Sequence, residues 1–467
     1  MRFSLFVKRL SLFLKRGSWV IDCIPPPRVD PGARACQLLK EAFPQLVAFP
    51  WSEQFEADIG HWASTSTQYA SCSVEPETAD DVRRILKIVG RSVIMPPFAI
   101  KGGGHASNVG HSSTTGVQIS AVKFSGVEFD AENSTITIGT GLTWDQVYSR
   151  LEPLGAMVVG GRVIGVGVTG LSLGGGYSWK TDQFGSTIDT IVSHNVVLPS
   201  GQQVQASNTT NPDLFFGLRG GLNNFGIVTS ITFEAHSPTL VFGGLITYAL
   251  NVTEDVNEAV SNFEANNADP KAQILVEFTS TAAHITPRSQ FTSGVIIFYD
   301  RPTPPPGLFD AFLSVYPAID VCCSPDSSKF LFSLCIDVHH DVPLLSHPVR
   351  FLRMIVQEII STEAELTQAQ QREDGLGGGA YPHEAARPVK PSSPDITWEV
   401  DDGLSDEAQQ ALHTLIIHTV HALAHTPSNP PRSSSGQEAP SPTSFYPNYA
   451  LGDTPLALID LYGGPKF

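Results

Sequence analysis

The sequence predicts an α+β protein of two lobes. Strand-like and helix-like patterns interleave through the first half of the chain, glycine-dense stretches recur between them, and both features stop near residue 239. At 467 residues with 41% hydrophobic content, the chain buries a large core and is too long for one ordinary domain. The expected layout is a leader or poorly ordered N-terminus over 1–35 and a first lobe over 36–238. A second lobe follows over 239–440, with a flexible stretch near 425–444, and then a C-terminal segment over 441–467.

The leader reading comes from the short apolar run Leu10 to Leu14 flanked by Lys8, Arg9, Lys15 and Arg16, which resembles an imperfect signal peptide, and from the break at Pro25-Pro26-Pro27. Sequons at Asn133, Asn208 and Asn251 lean towards the secretory pathway, with a cytoplasmic location as the alternative. No stretch reaches the roughly 18 apolar residues of a membrane-spanning helix. With 29 Lys and Arg against 46 Asp and Glu, the net charge of −17 repels nucleic acid and anionic membranes, so the expected partner is a small molecule. Six cysteines allow one or two bridges. Cys335-Ile336-Asp337-Val338-His339-His340 lacks a second ligand pair at a zinc-like spacing, so no metal is expected.

In chain order, Thr78 is placed to cap a helix over 81–89, with Val82, Ile85, Leu86 and Val89 on one face and Gly90 as its stop. Thr135 to Ile138 alternates as a half-buried strand, and Thr143 with Gln146 forms a capping box for a helix carrying Trp144, Val147, Tyr148 and Leu151. Residues 189–206 read as strand, Pro199-Ser200-Gly201 turn and strand, and Gly226 to Phe233 as a further β-rich run. A proline-rich turn spans Pro302 to Gly307.

The loop Lys101-Gly102-Gly103-Gly104-His105 is the most telling segment. Three glycines let main-chain N–H groups converge on a phosphate, with a histidine at the edge of the cradle; a plain turn before a solvated histidine is the alternative. Two further glycine regions, Gly160 to Gly176 and Arg219 to Gly226, suit a phosphate-bearing cofactor wrapped by several loops. Gly165-x-Gly167-x-x-Gly170 matches a dinucleotide fingerprint, with Asp189 downstream. That fingerprint needs a helix starting inside it, and Gly174-Gly175-Gly176 argues against one. Gly170-Leu171-Ser172-Leu173-Gly174 matches a serine-hydrolase elbow, with Asp182 or Asp189 and His194 as conceivable partners. Hydrolysis through Ser172 is the runner-up class.

Taken in order, these motifs resemble the flavin-linked oxidoreductases related to berberine bridge enzyme, especially the fungal members, within the vanillyl-alcohol-oxidase superfamily. The resemblance rests on the 101–105 loop, Gly139-x-Gly141 before Trp144 and Val147-Tyr148, and Gly160-Gly161-Arg162. It continues through the Gly170–Gly176 run, Val196 to Leu198, Asp213-Leu214-Phe215, Asn223 to Val228, and Tyr446-Pro447-Asn448-Tyr449. It implies a two-subdomain PCMH-type FAD-binding fold plus a substrate domain whose antiparallel sheet is covered by helices. The residues implied around FAD are Lys101, Gly102, Gly103, Gly104, His105, Ala106, Gly161, Val163, Val166, Gly167, Thr169, Gly170, Gly174, Gly175, Gly176, Tyr177, Gly226, Ile227 and Val228. Of these, His105 is the implied tether to the flavin 8α-methyl, and Val163 stands where some relatives carry a second, cysteine tether.

The implied reaction moves a hydride from an alcohol or amine carbon of a secondary metabolite or carbohydrate to FAD, with O2 as acceptor giving hydrogen peroxide. If the last motif is extended, Tyr446 and Asn448 share a face, which favours Tyr446 over Tyr449 as the catalytic phenol; packing tyrosines are the alternative. The resemblance also implies a Cys36–Cys72 disulfide and a monomer. In two places the sequence departs from the family pattern. Lys101 replaces an arginine, and the chain reaches Gly463-Gly464-Pro465-Lys466-Phe467 without some 40 residues that the family places after the tyrosine motif; residues 370–440 also match weakly. A flavin-binding protein with impaired turnover is therefore a further reading.

Overall fold

The computed structural model describes residues 30–63, 66–91, 93–280, 291–316 and 318–324, with short strands at 14–15, 18–19, 353–355 and 395–397. The flexible stretch expected near 425–444, the Cys335–His340 run, and Tyr446, Asn448 and Tyr449 lie outside the described residues.

Helix α1 (Pro31–Ala42) begins inside the segment expected as leader, which moves the start of the fold back from residue 36. Its cause is local: the Asp30 carboxylate accepts from the Gly32 and Ala33 N–H groups, and Pro31 supplies a φ already suited to the first turn. Strands β1 (Val47–Ala48) and β2 (Cys72–Val74) follow, with α2 (Glu53–Ile59) between them; β3 (Phe98–Lys101) and β4 (Val117–Ser120) complete the sheet in the order β1-β2-β4-β3. The pairs β2/β4 and β3/β4 are parallel. α3 (Ala79–Val89) has the expected Thr78 cap, here a full capping box with Asp81, and Gly90 ends it. Val82, Ile85, Leu86 and Val89 pack with Ala35, Cys36 and Leu39 of α1 over the sheet, and a Cys36–Cys72 disulfide joins α1 to β2.

The second layer is an antiparallel sheet of β5 (Val127–Asp130), β6 (Thr135–Gly139), β7 (Ile191–Val197), β8 (Gln203–Ser207) and β9 (Ile227–Glu234), ordered β8-β7-β9-β6-β5. Its core is closed by α4 (Trp144–Leu151), held by the expected Thr143–Gln146 capping box, by α5 (Val168–Leu173), and by α7 (Pro212–Leu218); α6 (Thr181–Phe184) precedes β7.

The third layer, absent from the patterned half of the sequence, is an antiparallel sheet of β10 (Phe242–Ala249), β11 (Ala272–Ser280), β12 (Phe291–Tyr299) and β13 (Ala318–Ser324), ordered β11-β12-β10-β13. Helices α8 (Thr253–Asn266) and α9 (Asp310–Ser314) cover one face through Val256, Val260 and Phe312. The other face meets the first lobe, where Phe298 stacks on Trp179 with ring centroids 5.4 Å apart. Beside that stack, buried Lys180 donates to Asp300 at 2.7 Å.

Candidate functional site

The glycine-histidine loop leaves the end of β3 and runs directly against the loop that enters α5. A Cβ at Gly103 would lie 2.5 Å from the Gly167 nitrogen, and one at Gly167 would lie 2.4 Å from the Gly103 nitrogen. Any side chain at either position would push the loops apart, so glycine here is a packing requirement. Thr169 Oγ1 donates to the Thr140 carbonyl at 2.7 Å, and Thr140 Oγ1 donates to the Val228 carbonyl at 2.9 Å. The loop after β3, the end of β6, the start of α5 and the start of β9 thereby meet at one place. Gly226 takes φ 158° where a Cβ would press on the Val197 carbonyl at 2.7 Å, which brings Ile227 and Val228 in beside them.

The remaining glycines divide by what they face. Gly161 packs on Trp144 and its carbonyl accepts from Tyr148 at 2.9 Å; Gly165 N–H donates to Asp145 at 2.9 Å and the Val166 carbonyl accepts from Trp144 N–H at 3.0 Å. Gly175 and Gly176, both with positive φ, accept from Ile188 and Thr187 N–H, while Gly174 N–H donates to Leu171. These three glycines seat α5 against the turn at 187–190. By contrast, a Cβ at Gly165 or Gly170 meets nothing within 4 Å among the described residues, and Val163, Gly165, Val166, Thr169 and Tyr177 are exposed or half-buried. A main-chain wall built from mutually touching glycines, with open space in front of it, fits a phosphate-bearing group that needs close approach to the backbone.

His105 and Ala106 are half-buried at the edge of this wall. The His105 ring lies parallel to Trp62, with centroids 4.9 Å apart and planes 15° apart. Lys101 runs beneath Gly104 of the loop, and its buried ammonium donates to the Ala57 carbonyl at the end of α2, at 2.7 Å. Burial pushes its pKa down, against the pull of Asp58. Asp58 is itself buried and accepts from Ser73 Oγ at 2.6 Å.

Residues 70–207 match the FAD binding domain family. The match places an FAD binding domain in the first lobe. An FAD-dependent monooxygenase of Aspergillus calidoustus is 35% identical over 266 residues, covering 54% of this chain and 51% of that protein. An uncharacterized FAD-linked oxidoreductase of Arthroderma benhamiae is 34% identical, covering 58% and 53%. The chain thus spans about half the length of the curated relatives it matches. Among solved structures, a xylooligosaccharide oxidase from Myceliophthora thermophila aligns with a TM-score of 0.65 at 18% identity, over 92% of this chain and 93% of that one. A 6-hydroxy-D-nicotine oxidase from Arthrobacter nicotinovorans aligns with a TM-score of 0.65 at 17% identity, over 81% and 86%. At that identity the likeness is one of fold, and the fold is the PCMH-type arrangement.

The flavin domain also disposes of the competing motifs. A helix does start inside Gly165-x-Gly167-x-x-Gly170, contrary to expectation, because Gly167 serves as N-cap in extended backbone; Gly174 ends it after six residues. The stretch before it is a loop bridged to Thr143, where a dinucleotide fold needs a parallel strand. Ser172 is fully buried and its hydroxyl has no hydrogen-bond partner among the described residues, so none of them activates it as a base. His194 is also fully buried, with neither ring nitrogen bonded among the described residues, and burial pushes its pKa down to about 3, which argues against the hydrolase reading. Among the described residues no cluster of His, Cys, Asp and Glu forms a metal site, and no helix is long and apolar enough to cross a membrane. Sequence reasoning missed Trp62: it lies about forty positions before His105, and no spacing rule links them.

Proposed function

We propose that the protein is an FAD-dependent oxidase acting on an alcohol or amine carbon of a small molecule, either a secondary metabolite or a carbohydrate. The observation that carries the reading is the Gly103–Gly167 wall with His105 at its edge. When bound, FAD supplies the two-electron chemistry, accepting a hydride from the substrate carbon and passing the electrons to dioxygen as hydrogen peroxide. The loops 102–106, 165–170 and 226–228 would hold it by main-chain contact, and Gly174 to Gly176 would act at one remove by seating α5. His105 would be the single covalent tether, with Val163 at the place of the second. Tyr446 would take the substrate proton in preference to Tyr449, since Tyr446 and Asn448 would share a face if that segment were extended. A secretory location is supported by the Cys36–Cys72 disulfide and by the exposure of the sequon residues Asn133, Asn208 and Asn251.

The test is the visible spectrum of the purified protein, then acid precipitation, with His105→Ala alongside. Yellow colour that stays with the wild-type pellet and leaves the His105→Ala pellet supports both cofactor and tether. A pellet that stays yellow in the variant overturns the tether alone, and a colourless protein that takes up no added FAD overturns the whole reading.

A further inference from the structure

The back of the glycine-histidine loop is built by a segment outside the matched 70–207. Gly104 has φ 72°, and its Cβ position lies 3.2 Å from the Gly60 carbonyl, so the loop passes close under the end of α2. Trp62 N–H donates to the Gly104 carbonyl at 2.9 Å, and its indole lies flat on His105. His61 clasps the same segment, since Nδ1 meets the Ile59 carbonyl at 2.7 Å and Nε2 meets Ser112 Oγ at 2.9 Å. A carbonyl only accepts, so Nδ1 carries the proton and Nε2 takes the Ser112 hydroxyl hydrogen, which ties 59–62 to the chain beyond His105.

Trp62 touches the face of the His105 ring and not its edge. The nucleophilic lone pair of a neutral imidazole lies in the ring plane, so stacking aims that lone pair without covering it. We infer that Trp62 is a positioning residue for His105, holding the imidazole in the orientation from which it bonds to the flavin. The inference rests on the tether proposed above. In that attachment the imidazole N–H and one C–H of the 8α-methyl are exchanged for a C–N bond, and the two hydrogens with their electrons leave on dioxygen as hydrogen peroxide.

The experiment adds FAD to flavin-free full-length protein and follows total bound flavin and acid-stable flavin separately, for wild type, Trp62→Ala and Trp62→Phe. Trp62→Ala is expected to slow attachment by about tenfold or more while total flavin binding stays within about twofold, since misplacing a reacting group costs rate before affinity. Trp62→Phe, which restores a ring face, is expected to recover most of that rate. Attachment by Trp62→Ala at the wild-type rate overturns the inference, as does a parallel fall in total and attached flavin. Should wild type hold no acid-stable flavin, the tether itself has failed. Positioning is then read from carbethoxylation of His105 by diethyl pyrocarbonate: faster modification in Trp62→Ala upholds it, and an unchanged rate overturns it.

Discussion

At the scale of single residues, burial decides which polar groups are chemical and which are structural. His194 sits in the core of the antiparallel sheet beside Phe215 and close to Arg219, and the cost of desolvating a cation there holds its pKa at about 3. Unfolded, the same imidazole titrates near 6.5, so between those values the unfolded chain binds a proton that the native protein does not. Stability therefore falls as pH drops below about 6.5, by up to about 1.4 kcal/mol per unit from this group. Urea unfolding of His194→Leu is expected to shrink the difference in stability between pH 7 and pH 5 by about 2 kcal/mol. The glycine pair obeys a steric rule. Gly103→Ala forces a carbon against the Gly167 backbone and is expected to weaken flavin binding by about tenfold or more, measured by equilibrium titration with FAD.

At the scale of elements, the sequence was readable wherever a cap and an apolar stripe agreed. α3 and α4 lie where Thr78 with Asp81 and Thr143 with Gln146 place them, and their buried positions follow the helical period. α5 escaped the reading because glycines that discourage a long helix still permit a short one seated by its neighbours. α1 escaped because its start lies in a capping carboxylate and a proline next to a segment that reads as leader. The Cys36–Cys72 bridge closes α1 onto β2 across a separation of 36 residues, and Cys36→Ser is expected to lower stability by about 3–4 kcal/mol in a denaturant titration under oxidising conditions.

At the scale of the whole molecule, the two lobes are joined by a buried clasp. Lys180 donates to both Asp300 and Thr239, Gln183 donates to Asp300 at 2.8 Å, and Trp179 lies between Phe298 and the Arg162 guanidinium of the glycine-rich loop. Lys180→Met leaves the Asp300 carboxylate buried without its cation, at a cost of roughly 3–5 kcal/mol in thermal or chemical unfolding. Adding Asp300→Leu to that variant is expected to recover much of the loss, because an apolar pair carries no desolvation penalty. Nothing in the spacing of 180 and 300 announces this contact; it exists because α6 and the end of β12 meet across the lobe junction.

The sequence by itself determined the glycine loops, the histidine beside them, the capped helices and the α+β class, because each depends on local sterics and periodicity. Tertiary structure decided that Gly103 and Gly167 touch, that the Lys101 ammonium bonds the Ala57 carbonyl, that Ser172 is sealed in a core, and that Trp62 lies on His105. Those contacts join residues far apart in the chain, and only the packing of sheets and helices brings them together.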